Sequence, residues 1–290
     1  MVSNFDSHRL VKKKIVERLQ QAIARARRER EGKIGQVPAF EDRGAIPTRS
    51  TDQRSQGQSS QPPPNPIVYS QTRVVPLDEQ HIESHRIIAG RAGDERVEAY
   101  RQLRTQVLHT LAENHWNTLA ITSPLKNAGK TLTAVNLAIS LAQEVNHSVL
   151  LVDLDLSHPD VHSTLGIDVE FGLIDVLEGR ATVAQALVNP GMQRLVVLPC
   201  RPTDEYSSEL LTSPAMSNLL QELSSHYDCR IVIFDLPPLL RNDDALKFTP
   251  FVDATLMVVE AGQTTPDHLE RATHLMKNAN LIGTILNKAR

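Results

Sequence analysis

Three stretches of the chain combine hydroxyl, ammonium and carboxylate groups in a way that suits phosphate chemistry. The first is Thr122-Ser123-Pro124-Leu125-Lys126-Asn127-Ala128-Gly129-Lys130-Thr131, preceded by the apolar Leu119-Ala120-Ile121 and followed by LTAVNLAISLAQEV at helical spacing. A loop between a strand and a helix N-terminus turns backbone N–H groups toward an anion. A lysine there adds charge for β- and γ-phosphates, and a hydroxyl can join a Mg²⁺ coordination sphere. Gly129, Lys130 and Thr131 supply the end of that device, with Asn127, Ala128 and Leu132 as its flanking binding positions. Pro124 stands in place of the first glycine of the general pattern and Asn127 where a glycine is frequent. Asparagine tolerates left-handed backbone, so the loop is expected to close without that glycine.

The second stretch is Val149-Leu150-Leu151-Val152-Asp153-Leu154-Asp155, followed by Ser157-His158-Pro159. Asp153 and Asp155 are two apart and share one face of a strand. At a strand's carboxyl end, one carboxylate can hold Mg²⁺ or its water while the other takes a proton from a nucleophile. The third is Ile231-Val232-Ile233-Phe234-Asp235-Leu236-Pro237-Pro238, whose aspartate ends a buried strand in the Walker B manner and orients the metal's hydration shell. Acidic residues also end strands for purely structural reasons; the lysine loop is what turns these pairs toward nucleotide binding.

Short apolar runs at 118–123, 148–155, 195–200, 230–236, 254–261 and 281–287 alternate with helix-like stretches. Alternating buried strands and helices imply crossover connections, hence a doubly wound, mainly parallel α/β sheet with its ligand at the strands' carboxyl ends. We assign this domain to residues 87–290. Before it, residues 36–86 are rich in Gln, Ser, Pro and Arg and read as a flexible linker. Residues 1–35 hold ten Lys/Arg against four Asp/Glu, with Val11, Ile15, Leu19, Ile23 and Ala26 on one stripe. They read as a basic amphipathic helix able to lie on an anionic membrane or a partner, or to pack on its own protein.

The 290 residues are 40% hydrophobic and 22% charged with a net charge of −3, enough for one large core. No apolar run approaches the roughly 18 residues that cross a bilayer, which argues against an integral membrane protein. Two cysteines, Cys200 and Cys229, make neither a disulfide framework nor a zinc motif, which suits the cytoplasm. His81 with His85, and His158 with His162, are each four apart without an evident third ligand, so no metal is assigned to them. Arg201, Arg230 and Arg241 lack interleaved aromatic residues, and no nucleic-acid partner is expected.

With TSPLKNAGKT, VDLDLSHP and FDLPP in this order, residues 95–290 resemble the bacterial tyrosine kinases of exopolysaccharide synthesis, especially the autokinases of exosortase-type loci. These are P-loop ATPases related to MinD and ParA. LGIDVEFGLIDVLEG at 165–179 and ELLTSPAMSNLL at 209–220 extend the likeness. The resemblance implies ATP and Mg²⁺ as cofactors, with Lys130 on the phosphates, Thr131, Asp153 and Asp235 around the metal, and Asp155 deprotonating an acceptor tyrosine. It places Asn287, in ILNK, near the adenine. It also implies a homo-oligomer built through Glu98, Arg101 and Arg104, which fit an E-x-x-R-x-x-R motif but equally an ordinary helix face. The implied partner is a membrane polysaccharide co-polymerase, a Wzz-like chain-length determinant that would hold the protein at the inner face of the cytoplasmic membrane.

The chain departs from that pattern in three places. Ser157 replaces an arginine after the paired aspartates, and Lys126-Asn127-Ala128 replaces Pro-Gly-Glu. No tyrosine follows Tyr227, where relatives carry a tyrosine-rich tail; of Tyr69, Tyr100, Tyr206 and Tyr227, Tyr69 is expected to be the accessible one. The missing cluster raises a second expectation, an ATP-dependent regulatory or scaffold subunit. A positioning ATPase of the MinD type would carry a lysine where this chain has Leu125.

Overall fold

The computed structural model describes residues 72–90, 96–201, 207–225 and 230–289. The expected N-terminal helix, most of the expected linker, and Tyr69, Tyr206 and Tyr227 lie outside them.

Eight strands form one sheet: β1 (Arg73–Val74), β2 (Thr118–Thr122), β3 (Ser148–Asp153), β4 (Val188–Asn189), β5 (Leu195–Leu198), β6 (Arg230–Asp235), β7 (Ala254–Glu260) and β8 (Leu281–Asn287). Their order is β1-β4-β5-β3-β6-β2-β7-β8. The six long strands run parallel, and each of the six apolar runs seen in the sequence forms one of them. β4 pairs antiparallel with β5, and β1 lies parallel to β4 at the edge.

Alternate residues of each central strand enter opposite cores, as the two-residue repeat of a strand requires. Ala120, Val152, Val232, Phe234 and Met257 face one apolar layer. Leu119, Ile121, Leu151, Ile233 and Val258 face the other. The second layer is closed by two helices, α2 (Arg96–Asn114) and α3 (Lys130–Ala142). Helix α3 is enclosed along nearly its whole length, which explains why its sequence is apolar all round rather than striped. Burying a Leu or Ile there contributes about 1.5–3 kcal/mol per side chain, so the helix that begins at the lysine loop is held firmly.

The linker assignment is corrected at its end. Residues 72–86, read as linker, include β1 and a short helix, α1 (Glu79–Ser84). Val75, Leu77 and Ile82 pack against the core, while the Asn136 side-chain oxygen accepts the N–H groups of Ile88 (2.8 Å) and Ala89 (3.0 Å). Isolated apolar residues among Pro and Arg give no period to read, yet three of them suffice to dock the segment.

Candidate active site

The strand order brings the carboxyl ends of β2, β3 and β6 side by side, with Asp153 directly opposite Asp235 in the register of β3 and β6. The three stretches singled out in the sequence therefore meet at one point. The loop after β2 is pinned to the segment after β6: Thr122 Oγ1 donates to the Pro237 carbonyl at 2.7 Å, and Leu239 N–H to that of Ser123 at 2.8 Å. Asn127 takes φ +61° and Gly129 φ +93°, so the left-handed turn expected of an asparagine at 127 is what the loop uses.

Lys130 Nζ lies 2.9 Å from Asp155 Oδ2, 3.4 Å from Asp235 Oδ2 and 3.1 Å from Thr131 Oγ1. Thr131 Oγ1 donates to Asp235 Oδ2 at 2.5 Å. Asp153 Oδ2 accepts the Val161 N–H at 3.0 Å, and its Oδ1 the Asp155 N–H at 3.3 Å. All three carboxylates are buried. Burial, and then repulsion from Asp235, raises the Asp153 pKa well above the usual carboxylate range despite the Val161 N–H. Burial likewise raises that of Asp235 against the opposing pull of Lys130. For Lys130, burial disfavours the charge, but Asp235 and Asp155 outweigh it and raise the pKa above the ordinary lysine value.

Three carboxylates facing one ammonium leave the cluster short of positive charge. Asp235 Oδ1 is buried and meets no hydrogen-bond partner, a condition that costs about 1–3 kcal/mol unless a donor or cation fills it. A hard divalent cation is the group this donor set fits, with Thr131, Asp153 and Asp235 at hand as oxygen ligands or water holders.

Other expected residues fall differently. Asn287 Nδ2 donates to the Ala128 carbonyl at 2.8 Å and its Oδ1 accepts the Lys288 N–H at 2.8 Å, so its amide supports the loop's backbone. Glu98 and Arg101 lie exposed on α2 and pair at 3.6 Å. Arg104 is instead committed within the chain, to the Ser140 carbonyl (3.0 Å) and Glu144 (3.0 Å). The His81 and His85 rings stack at 3.8 Å between centroids, and His158 lies against Arg241, with Nδ1 2.9 Å from Nη1. Lys288 and Glu260 were not singled out in the sequence: Lys288 Nζ donates to the Asn127 carbonyl at 2.7 Å and pairs with Glu260 at 3.1 Å. Their one sequence signal is adjacency to Asn287 for the lysine and a position ending an apolar strand for the glutamate.

The AAA domain family model AAA_31 matches residues 118–287. Tyrosine-protein kinase YwqD of Bacillus subtilis (strain 168) is 33% identical over 192 residues, covering 66% of this chain and 80% of that protein. The succinoglycan biosynthesis transport protein ExoP of Rhizobium meliloti (strain 1021) is 32% identical over 197 residues, 66% of this chain but 25% of that longer protein. Among solved structures, the kinase domain of the Escherichia coli tyrosine kinase Etk superposes with a TM-score of 0.66 at 29% identity, covering 78% of this chain and 90% of that one.

Proposed function

The chain belongs to the bacterial tyrosine-kinase family of P-loop proteins, and from that footing we propose that it transfers the γ-phosphoryl group of ATP to a protein tyrosine in the synthesis or export of a polysaccharide. The observation that carries this reading is the convergence of Lys130, Thr131, Asp153, Asp155 and Asp235 at one buried point beneath a left-handed loop.

The loop's N–H groups and the Lys130 ammonium bind the phosphate oxygens and hold the γ-phosphorus in line for attack. Bound Mg²⁺ would supply further charge neutralisation and be held through Thr131, Asp153 and Asp235. As Lys130 turns to the phosphates, its contact with Asp155 Oδ2 is released and that carboxylate becomes free to accept the acceptor's phenolic proton. The tyrosine oxygen then bonds to phosphorus, the bond to the β-phosphate oxygen breaks, and ADP leaves. Tyr100 is half-buried beside α3, and burial raises its pKa, so it is a poor acceptor. The acceptor we propose is a tyrosine on another chain.

Glu98 and Arg101 would make subunit contacts. The basic residues 1–35 and the partner we propose, a membrane polysaccharide co-polymerase, would hold the protein at the cytoplasmic membrane face. ExoP, named for succinoglycan biosynthesis transport, supports the polysaccharide setting.

The test is incubation of the full chain with γ-labelled ATP and Mg²⁺, alone and with a tyrosine-bearing partner chain. We expect phosphotyrosine that falls by about 10²–10⁴-fold in Asp155→Asn, and loss of ATP binding in Lys130→Met. ATP binding with no labelled tyrosine on any acceptor would refute phosphoryl transfer.

A further inference from the structure

The end of β8 reaches across to the lysine loop and grips two consecutive carbonyls. Lys288 Nζ donates to the Asn127 oxygen at 2.7 Å, and Asn287 Nδ2 to the Ala128 oxygen at 2.8 Å. Glu260, at the end of β7, fixes the lysine from the far side at 3.1 Å. Lys288 itself sits at φ +57°, a left-handed conformation unusual for a lysine. That strained turn follows directly on Asn287, whose Oδ1 accepts the Lys288 N–H at 2.8 Å. The backbone turn and both side chains thus act as one unit directed at the loop.

The consequence follows from peptide geometry. A trans peptide is planar, with the carbonyl of one residue and the N–H of the next pointing in opposite directions, and the described residues hold no cis bond. Drawing the Asn127 and Ala128 oxygens outward therefore aims the Ala128 and Gly129 N–H groups inward, where an anion would sit. The same contacts keep two partly negative oxygens away from that anion. We propose that Lys288, steadied by Glu260, is a positioning residue for nucleotide binding: its ammonium holds the loop in the anion-accepting form without touching the nucleotide. This rests on the nucleotide-binding part of the proposed function, and not on phosphoryl transfer.

The pair also explains a feature of the loop that its own residues do not. Asn127 lacks the conformational freedom of the glycine frequent at that place, and at φ +61° its backbone gains from a partner that holds it. The charge-assisted bond from Lys288 to its carbonyl supplies one.

The test measures the dissociation constant of a fluorescent ADP analogue with Mg²⁺ in the full chain and in Lys288→Met, Lys288→Arg and Glu260→Gln, together with the melting temperature without nucleotide. Loss of the charge-assisted bond that holds the loop ready for the anion corresponds to about tenfold weaker binding in Lys288→Met. We expect Lys288→Arg to recover most of it and Glu260→Gln to lose about threefold. Both contacts of the lysine are solvent-exposed, so the nucleotide-free melting temperature should fall by no more than about a few degrees, and in a phosphoryl-transfer assay the change should fall on KM more than on kcat. Should Lys288→Met fold poorly, Glu260→Gln carries the same reading. Unchanged affinity in Lys288→Met and Glu260→Gln, or weakening matched by an equal fall in nucleotide-free stability, would overturn the positioning role. Failure of the unsubstituted chain to bind the analogue would instead remove the nucleotide reading itself.

Discussion

Gly129→Ala isolates the backbone requirement of the loop in a single methyl group. At φ +93° an L-residue is strained by about 1–2 kcal/mol. An added Cβ would also lie 2.1 Å from Asn287 Nδ2, with Cγ at 3.4 Å. Because the close atom is the tip of a side chain, Asn287 can swing aside, and the cost is its 2.8 Å bond to the Ala128 carbonyl, about 1 kcal/mol. The sum for Gly129→Ala is about 2–3 kcal/mol. Asn287→Ala alone should cost about 1 kcal/mol, and the double variant no more than Gly129→Ala, since the bond can be lost only once. Urea unfolding without nucleotide, with the slope checked for constancy, measures all three. A Gly129→Ala cost below about 0.5 kcal/mol, or strict additivity in the double variant, would refute the reasoning.

Three further predictions address charge. Asp175 accepts the Gly172 N–H (2.9 Å) and contacts Arg180 and Arg201; burial opposes its ionisation, but these donors outweigh it and lower its pKa. A depressed carboxylate stabilises the fold above its unfolded pKa near 4, and that contribution is lost as pH falls through the lower folded value. Asp175→Asn should therefore cost about 2 kcal/mol at pH 7 and show a flatter acid limb in melting temperature against pH; an unchanged limb would count against it. Asp235 has the opposite sign: its folded pKa is raised, so ionisation costs stability as pH rises from about 4 toward neutrality. Asp235→Asn in chelator should melt higher than the unsubstituted chain at pH 7.5, with the difference shrinking toward pH 4, yet lose the stabilisation that Mg²⁺ and ADP confer; a lower melting point in chelator would be the wrong sign. On α2, Arg101→Glu should weaken self-association in sedimentation velocity without altering stability, since its side chain is 53% exposed. Arg104→Ala should instead lower stability by about 1–2 kcal/mol, since its side chain is 17% exposed and bound to Ser140 and Glu144; equal effects of the two on assembly would contradict this division.

How much of this was legible beforehand depends on the range over which each signal acts. An apolar run of strand length ending in Asp153 or Asp235, or a run such as LTAVNLAISLA after Gly129-Lys130-Thr131, carries its meaning within about a dozen residues. Burial and backbone conformation are local consequences of those side chains, so the six parallel strands, the lysine loop and its aspartates could be read without coordinates. The same locality explains what could not be read. Arg104 keeps the spacing of a charged helix face, but its partners, Ser140 and Glu144, sit on and just beyond the helix packed alongside, and spacing along one helix cannot show a neighbour's carbonyl. β1 and β4 are two residues each, too short for a period of two to register, and they exist because an edge was available to pair with.

The site's finer geometry belongs to the tertiary structure for the same reason. Lys288 and Asn127 are 161 positions apart, and nothing in either neighbourhood specifies the other. They meet because β7 and β8 follow β2 in the sheet order, which sets the end of β8 over the loop. The residue types thus determined that a strand-loop-helix carrying Lys130 and Thr131 would form beside two strands ending in aspartate. The order of strands, a property of how two cores close on one sheet, decided which carbonyls the loop turns outward and which buried oxygen, Asp235 Oδ1, is left without a hydrogen-bond partner.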